Sequence, residues 1–151
     1  MRVETSTVIK REPEPIFEFV TAPENAPRWQ EGAISTRITT AGPLRLGSEM
    51  EHVGRWLGMR MLTRAVVTVL EPGSAFGYDI TAKMSSTPSR MRYSLTRVVD
   101  GTRLTLSNEF ALRGLMKPLN PLLRRSIQRM FERDVERLRR VLEEQPPKKE
   151  P

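Results

Sequence analysis

Six segments between Ala33 and Leu112 alternate apolar and polar residues with a period of two, and this pattern constrains the fold more than any other feature. The segments are AISTRITT (33–40), SEMEHVGRWL (48–57), MRMLTRAVVTVLE (59–71), AFGYDITAK (75–83), SRMRYSLTRVV (89–99) and TRLTLSNEFAL (102–112). Such alternation indicates β-strands. The links between them are too short for parallel crossovers, which need about a dozen residues or more. The segments therefore predict an antiparallel sheet arranged as a meander.

One face of the predicted sheet is apolar and the other is polar. In the last three segments the apolar face carries Phe76, Tyr78, Ile80, Met91, Tyr93, Leu95, Leu104, Leu106, Asn108 and Phe110. The alternate positions, which include Asp79 and Glu109, face water, so these two carboxylates do not form a catalytic pair. A sheet with one apolar face has to be covered by another element.

Helices are predicted at both ends of the sheet. A first strand, Val3 to Lys10, is followed by a short helix from Glu14 to Thr21 and by a second helical piece that ends at Trp29. A long amphipathic helix from Pro121 to about Gln145 provides the cover for the sheet. Its apolar stripe consists of Leu123, Ile127, Met130, Asp134, Leu138 and Val141, with Phe131, Val135 and Leu142 on the flanks.

Arginines dominate the other face of this helix. We expect acidic residues three or four positions away to balance them, as Glu132 with Arg129 and Glu136 with Arg133 and Arg140. Residues 146–151 are predicted to be a disordered polar tail.

Two stretches carry a resemblance to a known family. PEPIFEFVTAPENAPRW (13–29) resembles the opening of the bacterial polyketide cyclase/dehydrase-like branch of the SRPBCC superfamily, which includes START domains and birch-pollen allergens. VTVLEPGSAFGYDI (67–80) resembles the stretch of that branch in which a strand ends in Glu-Pro-Gly and the next begins with aromatic residues.

The resemblance implies an α+β helix-grip fold. A curved seven-stranded antiparallel sheet would wrap around the long C-terminal helix, with two short helices after strand 1, in a single domain over residues 1–145. Family members bind lipids, polyketides or other apolar molecules in a cavity between sheet and helix, and some catalyse cyclisation or dehydration. Phe17, Val20 and Trp29 are expected to close one end of that cavity.

Composition limits the other partners. The 25 Lys and Arg residues exceed the 18 Asp and Glu residues, giving a net charge of +7, which favours anionic partners in general. Nucleic acid is not expected, because the arginines are spread along the chain and the few aromatics do not interleave with them. No cofactor and no metal site is expected: the chain has no cysteine and one histidine. The absence of a long apolar run and of an apolar leader region predicts a cytoplasmic protein.

Polar residues among apolar neighbours are the candidates for chemistry. His52 is either a general acid/base or polar anchor in the cavity, or a partly exposed strand histidine. Tyr78, Tyr93 and Asn108 are either handles for a ligand or core residues with backbone partners. We expect the ligand to contact Met50, His52, Trp56, Met61, Tyr78, Met91, Tyr93, Asn108, Phe110, Met116, Ile127 and Met130.

Three functions follow from these residues. Binding or carriage of a small hydrophobic molecule is favoured, because the pattern predicts a cavity but no catalytic constellation. The alternative is a cyclase or dehydratase, with His52 and Tyr78 or Tyr93 transferring protons. A third reading is a protein-interaction module that uses the basic helix. Leu112, Leu115, Met116 and Leu119, beside Arg113 and Lys117, also suggest transient contact with an anionic membrane. The oligomeric state is left open.

Overall fold

The computed structural model describes residues 1–56, 58–81, 89–112 and 114–144, except the side chain of Trp56. The described residues form strands β1 (Arg2–Ile9), β2 (Ala33–Ile38), β3 (Glu49–Trp56), β4 (Met59–Glu71), β5 (Ala75–Thr81), β6 (Ser89–Val98) and β7 (Gly101–Glu109). The helices are α1 (Pro13–Thr21), α2 (Ala26–Trp29) and α3 (Asn120–Glu144), with 3₁₀ turns at Pro23–Asn25 and Gly114–Leu119. Within these ranges no helix is long and apolar enough to cross a membrane.

The strands form one antiparallel sheet in the order β1-β7-β6-β5-β4-β3-β2. This order confirms the predicted meander, with β1 added beside the last strand. The curved seven-stranded sheet, the long C-terminal helix and the short helices after β1 confirm the helix-grip fold. The predicted strands were slightly too long, since β7 ends at Glu109 rather than Leu112. Leu57, the 82–88 link, Arg113 and residues 145–151 lie outside the described residues.

Turns and bulges shape the sheet. The N–H of Ser74 donates to the carbonyl oxygen of Glu71 over 2.9 Å, and Gly73 completes this turn with a φ of +73°. Irregular pairing occurs between Ala33 and Ser35 in β2 and between Val67 and Val69 in β4. Such bulges bend a strand and increase its twist, which suits a sheet that has to curve around a helix.

Helix α3 covers the concave face and also protects the edge of β1. Nε of Arg124 donates to the carbonyl oxygen of Arg2 over 3.3 Å, and Nε2 of Gln128 donates to that of Glu4 over 3.0 Å. Unpaired backbone groups on a sheet edge invite association with other chains. These two side chains therefore satisfy acceptors that the sheet leaves open.

The inward face of α3 comprises both the predicted stripe and its predicted flank. Its buried residues are Phe131, Asp134, Val135, Leu138 and Leu142, whereas the predicted stripe members Leu123, Ile127, Met130 and Val141 are only half-buried. Ile127 and Met130 nevertheless line the cavity, so the stripe and its flank both face the interior.

Glu136 forms its direct ion pair with Arg139 rather than with Arg133 or Arg140, although Arg140 still acts on it through space. Arg139 pairs with Glu136 and with Glu143, the latter through Nη1 and Oε2 at 2.7 Å. Arg133 instead reaches Glu31 near the end of α2. A helical pattern allows several pairs at three or four residues, and tertiary contacts select among them.

Candidate functional site

A cavity of about 270 Å³ lies between the concave face of the sheet and the helices. Met50, Ala65, Phe76, Met91 and Leu106 line it from the sheet. Val20, Trp29, Ile127, Met130 and Phe131 line it from the helices. Val20 and Trp29 belong to the segment that was expected to close one end of the cavity. Phe17, expected beside them, packs against the core without lining the cavity.

Four aromatic rings form a continuous surface, here called the aromatic wall. Its members are Trp29, Phe76, Tyr78 and Tyr93. Phe76 stacks on Tyr93 with ring centroids 5.7 Å apart, and Trp29 meets Tyr93 edge-on at 6.1 Å. Tyr78 is tilted against Phe76 at 5.6 Å. Contacts at these distances stabilise the cluster beyond the burial of its area, so the wall is a fixed part of the cavity.

The two tyrosine hydroxyls form a pair. Their oxygens are 3.1 Å apart, and either can donate to the other. Removal from water raises the pKa of both phenols, most strongly that of Tyr93, so both are neutral near pH 7. One hydrogen bond uses one of the two O–H donors. The second donor has no partner among the described residues and is available to a ligand.

Asp134 is the carboxyl group of the cavity. The residue is only 4% exposed, and its Oδ1 accepts the N–H of Glu31 over 2.8 Å. Burial raises the pKa of Asp134 to about 6, although this N–H, Arg137 and Arg133 act in the opposite direction. Oδ2 has no hydrogen-bond partner within the described part of the chain. The cavity therefore contains a carboxylate with one unused oxygen.

His52 and Asn108 complete the polar lining. Nδ1 of His52 lies 2.7 Å from Oγ1 of Thr36, and burial lowers the pKa of the imidazole. The amide nitrogen of Asn108 donates to Oγ of Ser89 over 2.6 Å and to the carbonyl oxygen of Arg90 over 3.1 Å. Both amide hydrogens of Asn108 are thus used within the protein, whereas Nε2 of His52 has no partner in the described ranges.

The structure brings together most of the residues predicted to contact the ligand. Those that line the cavity are Met50, His52, Tyr78, Met91, Tyr93, Asn108, Ile127 and Met130. Met61 is half-buried on the same face of β4 as Thr63 and Ala65 but lies beyond the cavity. Phe110 is buried beside Met1, just after β7, and Met116 is 39% exposed in the second 3₁₀ turn. The side chain of Trp56 lies outside the described residues.

Asp134 was placed in the apolar stripe of the predicted helix but was given no role. The sequence pointed to this residue, since Asp134 is the one carboxylate in an otherwise apolar stripe. It could not predict the contact of Asp134 with Glu31, which is 103 residues away in sequence. Among the described residues, no group of three or more His, Cys, Asp or Glu side chains could hold a metal ion.

A family model described as polyketide cyclase / dehydrase and lipid transport matches residues 1–143. The chain belongs to this family. The match confirms the resemblance noted in the sequence, and it places the cavity in a family whose description joins enzymes with lipid carriers. No curated protein matches the sequence.

Solved structures show the same fold at low sequence identity. Protein MLL2253 from Mesorhizobium loti has a TM-score of 0.76 at 17% identity, over 97% of this chain and 99% of that one. A START superfamily protein from Mycobacterium smegmatis has a TM-score of 0.69 at 15% identity, over 94% of each chain. The di-domain ARO/CYC StfQ of the steffimycin biosynthetic pathway has a TM-score of 0.79 at 13% identity, over 95% of this chain and 51% of that one. These likenesses concern the fold, which hosts many functions.

Proposed function

We propose that the protein binds a small, mainly apolar molecule in the cavity, as a carrier or sensor in the cytoplasm. The observation that carries this proposal is an aromatic and aliphatic cavity into which a few polar groups with unused hydrogen-bonding capacity converge. That combination is typical of small-molecule sites. The volume of about 270 Å³ lies just below the usual range for such sites, roughly 300–1,000 Å³. It favours a compact ligand over a long-chain lipid.

Native mass spectrometry of protein purified from cells tests this proposal. We expect a bound apolar species at one per chain. Ala65→Phe fills the cavity from β4 and should remove that species. Val66→Phe is the matched control, because Val66 is the next residue of β4 and is 42% exposed. Wild-type protein without bound species, or equal retention by both variants, would contradict binding in this cavity. Circular dichroism establishes that each variant is folded.

An enzyme of the cyclase or dehydratase type is the second candidate. Its support is that His52 and the tyrosine pair line the same cavity. A neutral imidazole can accept a proton, and a phenol can donate one to a carbonyl oxygen. Incubating the purified ligand with the protein and following its mass and its chromatographic retention would reveal the loss of one water or an isomeric product. If His52→Ala and Tyr93→Phe leave affinity and turnover unchanged, the enzyme function is rejected.

Transient contact with an anionic membrane would give such a ligand a route to the cavity. The second 3₁₀ turn and the start of α3 expose Leu115 (99%), Leu119 (45%) and Leu122 (67%). Lys117 and Arg124 lie within the same segment. Apolar side chains beside positive charge favour anionic bilayers. Sedimentation with phosphatidylglycerol vesicles should fall for Leu115→Glu but not for Val99→Glu, a control that is fully exposed in the β6–β7 turn. Equal sedimentation of both variants rules out this contact.

A further inference from the structure

The carboxyl group of Asp134 has an incomplete set of partners. Oδ1 accepts the backbone N–H of Glu31 at 2.8 Å, whereas Oδ2 accepts nothing from the described residues. The residue is 4% exposed and lines the cavity. A carboxylate that is almost wholly withdrawn from water and accepts a single hydrogen bond is costly. If the proposed binding function holds, the ligand is the group that can supply the missing donor.

The nearby cations do not neutralise this carboxylate by contact. Arg133 is committed to Glu31, because its Nε and Nη2 donate to Oε2 of Glu31 over 3.0 and 2.8 Å. Arg137 lies one helical turn after Asp134 and lowers its pKa through space, but it forms no ion pair with Asp134. Among the described residues, the charge of Asp134 therefore lacks a direct partner.

The aromatic wall offers a second feature that selects a cation. Trp29, Phe76, Tyr78 and Tyr93 line the same cavity as Asp134, with successive ring centroids 5.6 to 6.1 Å apart. The faces of such rings carry a negative quadrupole and attract a cation within about 6 Å. An aromatic surface and a carboxylate in one cavity are complementary to an ammonium group on an apolar body. A carboxylate or phosphate on the ligand would instead be repelled.

We propose that the ligand is a compact organic amine, bound as the ammonium ion with an N–H donated to Oδ2 of Asp134 and its apolar body against the aromatic wall. The remaining lining, including Met50, Ala65, Met91 and Ile127, accommodates the rest of the molecule. A charge-assisted hydrogen bond is roughly twice as strong as one between neutral groups. A hydroxyl could donate to the same oxygen, but it would leave the charge of the carboxylate unpaired.

Three probes with one ring system separate these possibilities. They are 2-(1-naphthyl)ethylamine, 2-(1-naphthyl)ethanol and 1-naphthylacetic acid, titrated into the full-length protein by calorimetry at pH 7.5. We expect the amine to bind the wild type about tenfold more tightly than the alcohol, which corresponds to about 1.4 kcal/mol, and the acid to bind weakest.

Two variants locate the origin of the preference. Asp134→Asn should reduce the difference between amine and alcohol to about threefold or less, because the amide carries no charge. Glu109→Gln is the control: it removes the same charge from an exposed position on the outer face of β7 and should keep the preference.

The outcomes distinguish the two proposals. Binding of the alcohol or the acid as tightly as the amine overturns the amine proposal and leaves cavity binding intact. A preference for the amine that persists in Asp134→Asn overturns the role of this carboxylate. If none of the probes binds and the purified protein carries no apolar species, the proposed function fails together with this inference. The comparison of probes on the wild type does not depend on the folding of any variant.

Discussion

Replacing Asp134 by asparagine should stabilise the folded protein at neutral pH. Burial raises the pKa of this carboxyl group from 3.8 to about 6. One pKa unit corresponds to 1.36 kcal/mol, so ionised Asp134 lowers the free energy of unfolding by ~3 kcal/mol at pH values well above 6. Asparagine has nearly the same shape, keeps an oxygen that can accept the N–H of Glu31, and carries no charge.

The sign of this effect depends on pH. Below about pH 3 the carboxyl is largely protonated in both states and contributes almost nothing to the difference. Between pH 4 and 6 the folded protein holds a proton that the unfolded chain has released, so the stability contributed by this group falls as the pH rises. At pH values well above 6 the full cost of the ionised carboxylate applies. The charged and titratable groups around it, which are the same in wild type and variant, are Glu31, His52, Tyr78, Tyr93, Arg133 and Arg137.

Urea denaturation of both proteins at pH 4 and pH 8 measures this effect. We expect a gain for the variant of about 0.5 kcal/mol at pH 4 and of about 2 to 3 kcal/mol at pH 8. Glu109→Gln, an exposed change on the outer face, should alter neither value by more than about 0.5 kcal/mol. A variant that is less stable than the wild type at pH 8, or a difference that does not change with pH, would refute the reasoning.

Three further perturbations test the fold and the polar lining. Leu138→Ala should lower the free energy of unfolding, measured by urea denaturation, by about 2 to 5 kcal/mol, because Leu138 is fully buried between α3 and the sheet. Leu122→Ala is the control: Leu122 is 67% exposed, and its loss should change this free energy by less than about 0.5 kcal/mol. Equal effects of the two substitutions would contradict the packing of α3. Gly32→Ala should lower the midpoint of thermal unfolding more than Gly47→Ala does. Both glycines have a positive φ, but of the two only Gly32 is placed so that an added Cβ would clash with a backbone carbonyl oxygen of β3. The reverse order of midpoints would contradict this geometry. The pKa of His52, measured by NMR titration, should lie below 6.5, because burial disfavours the imidazolium ion. A value above 6.5 would contradict the burial of this imidazole.

The sheet and the long helix could be predicted from the sequence because both depend on local periodicity. Alternation in segments such as SRMRYSLTRVV reports which residues face the core, and short links allow only antiparallel pairing. The degree of burial along α3 was harder to predict. Leu123, Ile127 and Met130 are as apolar as Phe131, Val135 and Leu142, so the pattern defines one broad stripe. It does not show that the first three are half-buried and the last three fully buried.

For the site, the sequence predicted which face of a strand each residue occupies, but not which residues along that face line the cavity. Alternation correctly placed Met61 on the same strand face as Ala65, and Phe110 on that of Asn108. The cavity occupies a limited length along each strand, and that length depends on bulges, on the curvature of the sheet and on where α2 meets it. None of these is encoded in the period of a single strand. The hydrogen-bond partners of Asp134 and Tyr93 could not be predicted either, because they lie on other parts of the chain.

Asp134 links the stability of the protein to its proposed ligand. A leucine at this position would continue the apolar stripe of α3 and add apolar burial, so ionised aspartate is a costly choice for packing alone. Groups that destabilise a fold while lining its cavity are typical of functional sites. Asp134→Leu should therefore exceed the wild type in unfolding free energy at pH 8, by less than Asp134→Asn because it leaves the N–H of Glu31 without its acceptor, and should lose the preference for the amine probe. A leucine variant that is less stable at pH 8 than the wild type would show that the carboxylate serves the fold, and the argument that its cost reflects ligand binding would fail.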